Sequence, residues 1–143
     1  MRVLVTGSRD WEGPWAAGRV HAALRALEIL HGTVEPNGPF TIVHGGCPTG
    51  ADAIADRWAR RRWYEPEVHP AQWDVYGRAA GPIRNEIMAA SRIDVCVAFL
   101  RDPVGSRGTK GMIELAQAAG IWTIVIPWTP EEDEPEDKLP LAA

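Results

Sequence analysis

Short apolar runs alternate along this chain of 143 residues with longer stretches whose apolar positions recur at helical spacing. The apolar runs predict five strands, at residues 2–6, 41–44, 65–69, 93–100 and 121–126. The stretches between them predict four helices, at residues 14–31, 50–63, 82–91 and 108–119. Buried strands that take turns with helices are typical of a parallel sheet covered on both faces. We therefore expect an α/β, Rossmann-like, doubly wound fold with a mainly parallel sheet of about five strands.

The same spacing predicts which side of each helix packs on the sheet. In the first helix the predicted inward stripe consists of Val20, Leu24, Leu27 and Leu30. In the second helix the predicted inward residues are Ile54, Trp58 and Trp63. Gly120 is expected to end the helix at 108–119, because glycine readily adopts the left-handed conformation that follows a helix.

The charge distribution separates a body from a tail. The formal net charge is -4, and six of the 19 acidic residues lie between Glu131 and Asp137. Like charges mixed with prolines are typical of a mobile segment. We expect a single domain over residues 1–128 and an acidic, proline-rich, mobile tail over residues 129–143. The body is near neutral, so we do not expect nucleic-acid binding, which depends on cation–phosphate contacts.

The hydropathy pattern predicts neither a membrane segment nor an export signal. Every apolar run is far shorter than the roughly 20 residues that cross a bilayer, and the N-terminus turns polar after a short apolar run. Cys47 and Cys96 fit no zinc spacing. We expect free thiols in a reducing, cytoplasmic setting, no metal site and no cofactor.

Glycine-bearing loops follow three of the predicted strands. The loop residues concerned are Gly7, Ser8 and Arg9, then Gly45, Gly46, Thr49 and Gly50, and finally Gly105, Ser106, Gly108 and Thr109. Because the C-terminal ends of parallel strands share one edge of a sheet, we expect these loops to meet. An ordinary tight turn is the alternative interpretation of any one of them.

These loops predict an anion site. Glycine lets the backbone approach a ligand closely, and the helices that follow direct free N–H groups and positive dipole ends toward the same edge. Phosphate is the ligand expected at such a site. Arg9, Arg84 and Arg107 are candidates for bidentate phosphate contacts.

The second loop has the glycine spacing of a P-loop without its chemistry. Gly45 and Gly50 match G-x-x-x-x-G, but Ala51 and Asp52 stand where lysine and a hydroxyl residue are required. A Walker-type NTPase is therefore excluded. Asp52 is expected either to stabilise the first turn of its helix or to accept hydrogen bonds from a ribose hydroxyl.

A few further side chains have two interpretations each. His44 ends the second strand and is either a general base or a structural residue. Trp11, Trp73 and Tyr76 either stack on a base or fill the core and subunit interfaces.

Three stretches together resemble the YspA-type branch of the SLOG superfamily, a Rossmann-like group that binds nucleotides and their derivatives. They are Gly7-Ser8-Arg9 with Trp11, the run HGGCPTGAD from residue 44 to residue 52, and the run GPIRN from residue 81 to residue 85. The resemblance spans about residues 1 to 127. The second loop is also similar to that of the DNA-processing protein A family.

Among related SLOG proteins, the LONELY GUY phosphoribohydrolases carry an arginine in R-K-x-x-M and a glutamate in G-G-x-G-T-x-x-E. Arg84, followed by Asn85 and Met88, is similar to the first motif. The second motif matches only in part, because Met112 stands at the glutamate position and Glu114 lies two residues further on. On a helix that is about 200° round, so Glu114 is expected to face away from the site.

The loops and the resemblance together predict a ligand shell and a function. The shell consists of Gly7, Ser8, Arg9, Gly45, Gly46, Thr49, Gly50, Asp52, Arg84, Asn85, Gly105, Ser106, Gly108 and Thr109. We expect it to bind a nucleotide or nucleotide-derived small molecule, through phosphate and ribose, at the C-terminal edge of the sheet. The alternative is a nucleotide N-glycosidase that uses Arg84 with Glu114 or Asp52 as catalytic residues. Single-stranded DNA binding is the least expected role.

The chain is also expected to form a homodimer or a larger homo-oligomer. One stripe of the apolar helix that contains Ile87 and Met88 must pack on the sheet. The remainder, with exposed tryptophans such as Trp63 or Trp73, is expected to form an apolar patch larger than a monomer tolerates. The resemblance implies the same, because SLOG relatives are commonly dimers. The alternative is that both faces of this helix are buried within one subunit.

Overall fold

A computed structural model of the chain describes residues 1–101 and 106–131. These residues form, in order, β1 (Arg2–Gly7), α1 (Pro14–Val34), β2 (Thr41–His44), α2 (Gly50–Arg61), β3 (Glu67–Val68), α3 (Trp73–Tyr76), a 3-10 turn (Gly77–Ala79), α4 (Ala80–Ala89), β4 (Val95–Leu100), α5 (Arg107–Ala118) and β5 (Trp122–Pro127). Gly105 and most of the predicted acidic tail, residues 132–143, lie outside the described residues.

The strands form one parallel sheet in the order β3-β2-β1-β4-β5. The first three strands step outward in one direction, and β4 then pairs with β1 on its other side. The expected Rossmann-like, single-domain α/β fold is confirmed. In this arrangement the strand order reverses between β1 and β4, which is where open parallel sheets form their ligand crevice.

Each face of the sheet has its own core. Val20 and Leu24 of α1 and Ile54 of α2 pack on one face, in a cluster with Trp11 and Phe99. Met88 of α4 and Met112 of α5 pack on the other face, in a cluster with Leu4, Val43 and Cys96. Covering both faces explains why β1 and β4 are apolar without alternation.

Two predicted inward residues lie on the surface. Leu30 is 40% exposed, and the next residue, His31, is buried instead and shares a hydrogen bond of 2.8 Å with the carbonyl of Gly38. Trp63 is 95% exposed because α2 ends at Arg61. With φ of 64°, Trp63 occupies the left-handed position after the helix, which turns its side chain off the buried stripe.

The region before Arg84 also differs from the prediction. Helix α4 begins at Ala80 rather than at residue 82, and the short helix α3 with the 3-10 turn precedes it. Gly77, with φ of 56°, separates α3 from α4. Because glycine interrupts the helical spacing there, neither α3 nor the 3-10 turn was predicted from the sequence. The C-terminus of α5 is as expected, since Gly120 has φ of 73° directly after the helix.

Gly7 at the end of β1 provides a test of how tightly the sheet edge is packed. A Cβ atom at this position would lie 2.5 Å from the Cβ of Ala51 and 3.0 Å from the carbonyl oxygen of Phe99. We predict that Gly7→Ala lowers the free energy of unfolding by about 1–3 kcal/mol, through overpacking. Urea denaturation measures the change.

Gly18 is the matched control, because a Cβ atom there meets no atom within 4 Å and the residue lies inside α1. Gly18→Ala should raise the free energy of unfolding by about 0.5–1 kcal/mol, since alanine favours a helix interior. Equal effects of the two substitutions would contradict the packing described at Gly7.

Candidate functional site at the C-terminal edge of the sheet

Ser8 joins the loops that follow β1 and β4. Its buried hydroxyl lies 2.7 Å from the hydroxyl of Ser106 and accepts a hydrogen bond of 3.1 Å from the backbone N–H of Arg101. The backbone N–H of Ser8 also donates to the carbonyl of Phe99 at 3.0 Å. The two loops at the point where strand order reverses are therefore held together by a small polar cluster.

Gly50 brings the loop after β2 against the loop after β1. Its φ of 72° favours glycine, and a Cβ atom on it would collide with the carbonyl oxygen of Ser8 and lie 3.0 Å from the Cα of Arg9. Three loops expected to share one edge are thus in direct contact, because Ser8 touches the other two.

Asp52 holds the backbone of the second loop. One carboxylate oxygen, Oδ2, accepts the N–H of Gly45 at 3.2 Å and the N–H of Cys47 at 3.3 Å. Burial raises the pKa of Asp52, while the nearby His44 and Arg84 and the two backbone N–H groups oppose the rise. These hydrogen bonds support the loop before α2, a role that neither of the two expectations named.

His44, the last residue of β2, supports the same loop. Its Nδ1 accepts the N–H of Gly46 at 3.0 Å, so the ring proton lies on Nε2, which donates to Asp56 at 2.7 Å. The side chain is 3% exposed. Both ring nitrogens are engaged, which favours the structural interpretation of His44 over that of a general base.

Arg84 forms a direct hydrogen bond to this loop. Its Nη1 donates to the carbonyl oxygens of Gly45 at 2.6 Å and His69 at 3.2 Å, and its Nε donates to the side-chain oxygen of Asn85 at 2.8 Å. Burial lowers the pKa of Arg84, and the positive charge of Arg9 lowers it further, whereas Asp52 and Cys47 raise it. Within the described part of the chain, no carboxylate oxygen lies within 4.0 Å of its guanidinium.

Asn85 connects α4 to the beginning of α5. Its amide Nδ2 donates to the carbonyl of Gly108 at 3.4 Å, and both Asn85 and Thr109 are buried. Ser106 precedes α5 without a side-chain capping bond. These residues place the N-terminus of α5 at the same edge as Ser8.

Two cavities flank the second loop and divide the predicted shell. The first, the α1–α2 groove, has a volume of about 380 Å³ and includes Glu12, Thr49, Gly50 and Arg57. The second, which we call the Arg84 pocket, has a volume of about 290 Å³ and includes Val68, His69, Pro70, Tyr76, Ile83, Arg84 and Ile87. Thr49 and Arg84, predicted to share one ligand shell, therefore face different cavities.

Trp11 and Glu114 lie apart from these cavities. Trp11 is fully buried, its Nε1 donates to the carbonyl of Ala16 at 3.0 Å, and its ring packs on Trp15 and Phe99 at 5.4 and 5.3 Å. It is a core residue rather than a stacking surface. Glu114 is exposed on α5, while Met112 is buried on the face that packs on the sheet.

Sequence reasoning missed most of the Arg84 pocket. Ile87 lies three residues after Arg84 and four residues after Ile83 on α4, and both spacings place side chains side by side on one face of a helix. That signal was available. The contact made by the carbonyl oxygen of His69 could not be predicted, because a backbone contact does not depend on residue type.

The described residues contain no group of three or more His, Cys, Asp or Glu side chains that could hold a metal ion. Neither do they include a helix with the length and apolar character needed to cross a membrane.

Residues 1–76 match the family model described as YspA, cpYpsA-related SLOG family, abbreviated YAcAr. The chain belongs to this YAcAr family. It is also similar to the Gene 61 protein of Mycobacterium phage D29, with 42% identity over 126 residues that cover 84% of this chain and 91% of that protein. No solved structure matches significantly.

The YAcAr match runs from β1 to the end of α3. It includes the loops after β1 and β2, whereas Arg84 and α5 lie beyond it. Family membership is consistent with nucleotide-related binding or processing, and the expected SLOG relationship is confirmed.

Asp52 gives a direct test of the loop support. Asp52→Ala leaves the N–H groups of Gly45 and Cys47 without their acceptor, so we predict a loss of about 1–3 kcal/mol in the free energy of unfolding. Asp52→Asn keeps one oxygen as an acceptor and should lose less. Chemical denaturation without ligand compares the variants, and an Asp52→Ala protein as stable as wild type would contradict the assigned role.

Proposed function

We propose that this YAcAr protein binds a nucleotide or nucleotide-derived small molecule, with the phosphate at Arg84 and the second loop. The observation that carries the proposal is the half-buried guanidinium of Arg84, which meets no carboxylate in the described part of the chain. Arginine stays protonated in proteins, so this position keeps a positive charge at neutral pH.

An unpaired and partly buried cation is costly unless something compensates it. The oxygens of Gly45, His69 and Asn85 compensate Arg84 in part but carry only partial charges. The carboxylate of Asp52 also raises the pKa of Arg84, but it forms no ion pair with the guanidinium. Arg9 adds a second positive charge near enough to lower the pKa of Arg84. A phosphate at Arg84 would compensate the charge of its guanidinium and accept charge-assisted hydrogen bonds, and the positive charge of Arg9 adds to the attraction.

The surrounding loops supply the rest of the proposed shell. The N-termini of α2 and α5 point toward this edge, and their dipoles favour an anion. Gly45 lies against the Arg84 guanidinium so closely that a Cβ atom would collide with it, so glycine at this position lets Arg84 approach the loop. The other predicted shell residues, including Ser8, Asn85, Ser106 and Thr109, remain part of the proposal as supports for these loops.

The N-glycosidase alternative has no specific support in the described residues. An oxocarbenium-like centre requires a carboxylate that faces it. Glu114 is exposed on α5, and Oδ2 of Asp52 is already engaged by two backbone N–H groups. We therefore propose binding rather than hydrolysis as the function, with single-stranded DNA binding the least favoured role.

Calorimetry with AMP and ADP-ribose tests the phosphate contact. We predict binding by wild type and a loss of about 10-fold or more in affinity for Arg84→Ala, because one charge-assisted hydrogen-bonding group is removed. Arg84→Lys keeps the charge without the bidentate geometry and should fall between the two.

The matched control for this test is Arg61→Ala. Arg61 is an exposed arginine at the C-terminal end of α2, at the opposite edge of the sheet from the loops. Its loss should leave affinity unchanged. Equal weakening by Arg84→Ala and Arg61→Ala would indicate non-specific charge attraction, and no binding of either nucleotide at millimolar concentration would refute the proposed function.

We also propose that the chain self-associates through α3 and α4. Trp73, Val75 and Ile87 are apolar side chains of α3 and α4 that are 52%, 66% and 55% exposed, and Ile87 also lines the Arg84 pocket. Met88, expected to contribute to the exposed apolar patch, is instead buried against the sheet.

Light scattering at micromolar concentration should give a mass at least twice the chain mass of 15.7 kDa. Val75→Glu should lower the measured mass. A single-chain mass for wild type would exclude self-association.

A further inference from the structure

The Arg84 pocket has a lining that a phosphate alone does not explain. Its volume of about 290 Å³ lies near the lower end of the roughly 300–1,000 Å³ found for small-molecule sites. Apart from Arg84, His69 and Gln72, the walls are formed by apolar and aromatic residues of β3, the segment after it, α3 and α4: Val68, Pro70, Tyr76, Ala80, Ile83 and Ile87. A phosphate needs hydrogen-bond donors, and only one end of this pocket offers a cation.

The apolar walls are not covered by the rest of the described chain. Val68, Tyr76 and Ile87 are 39%, 48% and 55% exposed. Apolar side chains around a concave surface gain free energy when an apolar group displaces water from between them. No carboxylate lines the pocket, so nothing within its walls repels a ligand that also carries a phosphate.

The pocket is continuous with the proposed phosphate position. The Nη1 atom of Arg84 donates to the carbonyls of Gly45, in the second loop, and of His69, in the pocket wall. A Cβ atom on Gly46 would lie 3.0 Å from Cγ1 of Val68. A ligand held by its phosphate at Arg84 therefore has its next atoms within reach of the apolar walls.

We propose that the Arg84 pocket holds the planar base of the nucleotide, with the phenol ring of Tyr76 against the base. This inference rests on the proposed function. Tyr76 offers a flat, amphipathic surface, and stacking of a base on an aromatic side chain tolerates any base because each has a π-face. The ligand class is thus a nucleotide with its base attached, rather than a sugar phosphate.

Comparing AMP with ribose 5-phosphate isolates the contribution of the base, because the two share the phosphate and the ribose. We predict that wild type binds AMP about 10-fold more tightly or better, in line with measured base–aromatic stacking. Tyr76→Ala should remove most of this preference and leave the affinity for ribose 5-phosphate unchanged. Tyr76→Phe keeps the ring and should retain the preference, which also excludes a folding defect as the cause.

Trp63→Ala is the matched control, since Trp63 is an aromatic side chain 95% exposed at the other edge of the sheet. It should bind both ligands like wild type. If wild type binds AMP and ribose 5-phosphate with equal affinity, and Arg84→Ala loses affinity for both, the base site is overturned and the proposed function stands. A preference for AMP that survives in Tyr76→Ala would also overturn it. Binding of neither ligand would overturn both proposals.

Discussion

The candidate site depends on one contact, the hydrogen bond from Nη1 of Arg84 to the carbonyl oxygen of Gly45. It attaches α4 to the loop after β2, although 39 residues separate the two positions in the chain. The second bond of Nη1, to His69, attaches the segment after β3 to the same point. Glycine at position 45 makes this approach possible, because any Cβ atom there would collide with the guanidinium.

Two side chains hold the loop that receives Arg84 through hydrogen bonds to its backbone. Asp52 accepts the N–H groups of Gly45 and Cys47, and His44 accepts the N–H of Gly46. These bonds fix successive peptide groups and determine where the Gly45 carbonyl points. The acidic and imidazole groups thereby organise the backbone, while the positive charge of Arg84 and Arg9 remains available to a ligand.

The architecture was predictable because it follows from burial. Strands β1 and β4 are apolar on both faces, and that pattern is compatible with a covered parallel sheet and with few other folds. The three loops that share an edge follow from the same topology. Trp63 shows the limit of periodicity, because helical spacing continues through it while a left-handed residue ends the helix. The Arg84 pocket was not predicted, since it depends on α3 and on a backbone carbonyl.

The central claim is that Arg84 and the second loop form an anion site rather than an internal support alone. An NMR titration of the ¹⁵N-labelled chain with AMP tests it most directly, because amide and guanidinium signals report position by position. We predict saturable shifts of the Gly45, Gly46 and Cys47 amides and of Arg84 Nε. Shifts confined to Glu12, Thr49 and Arg57 in the α1–α2 groove, or no shifts at all, would contradict it.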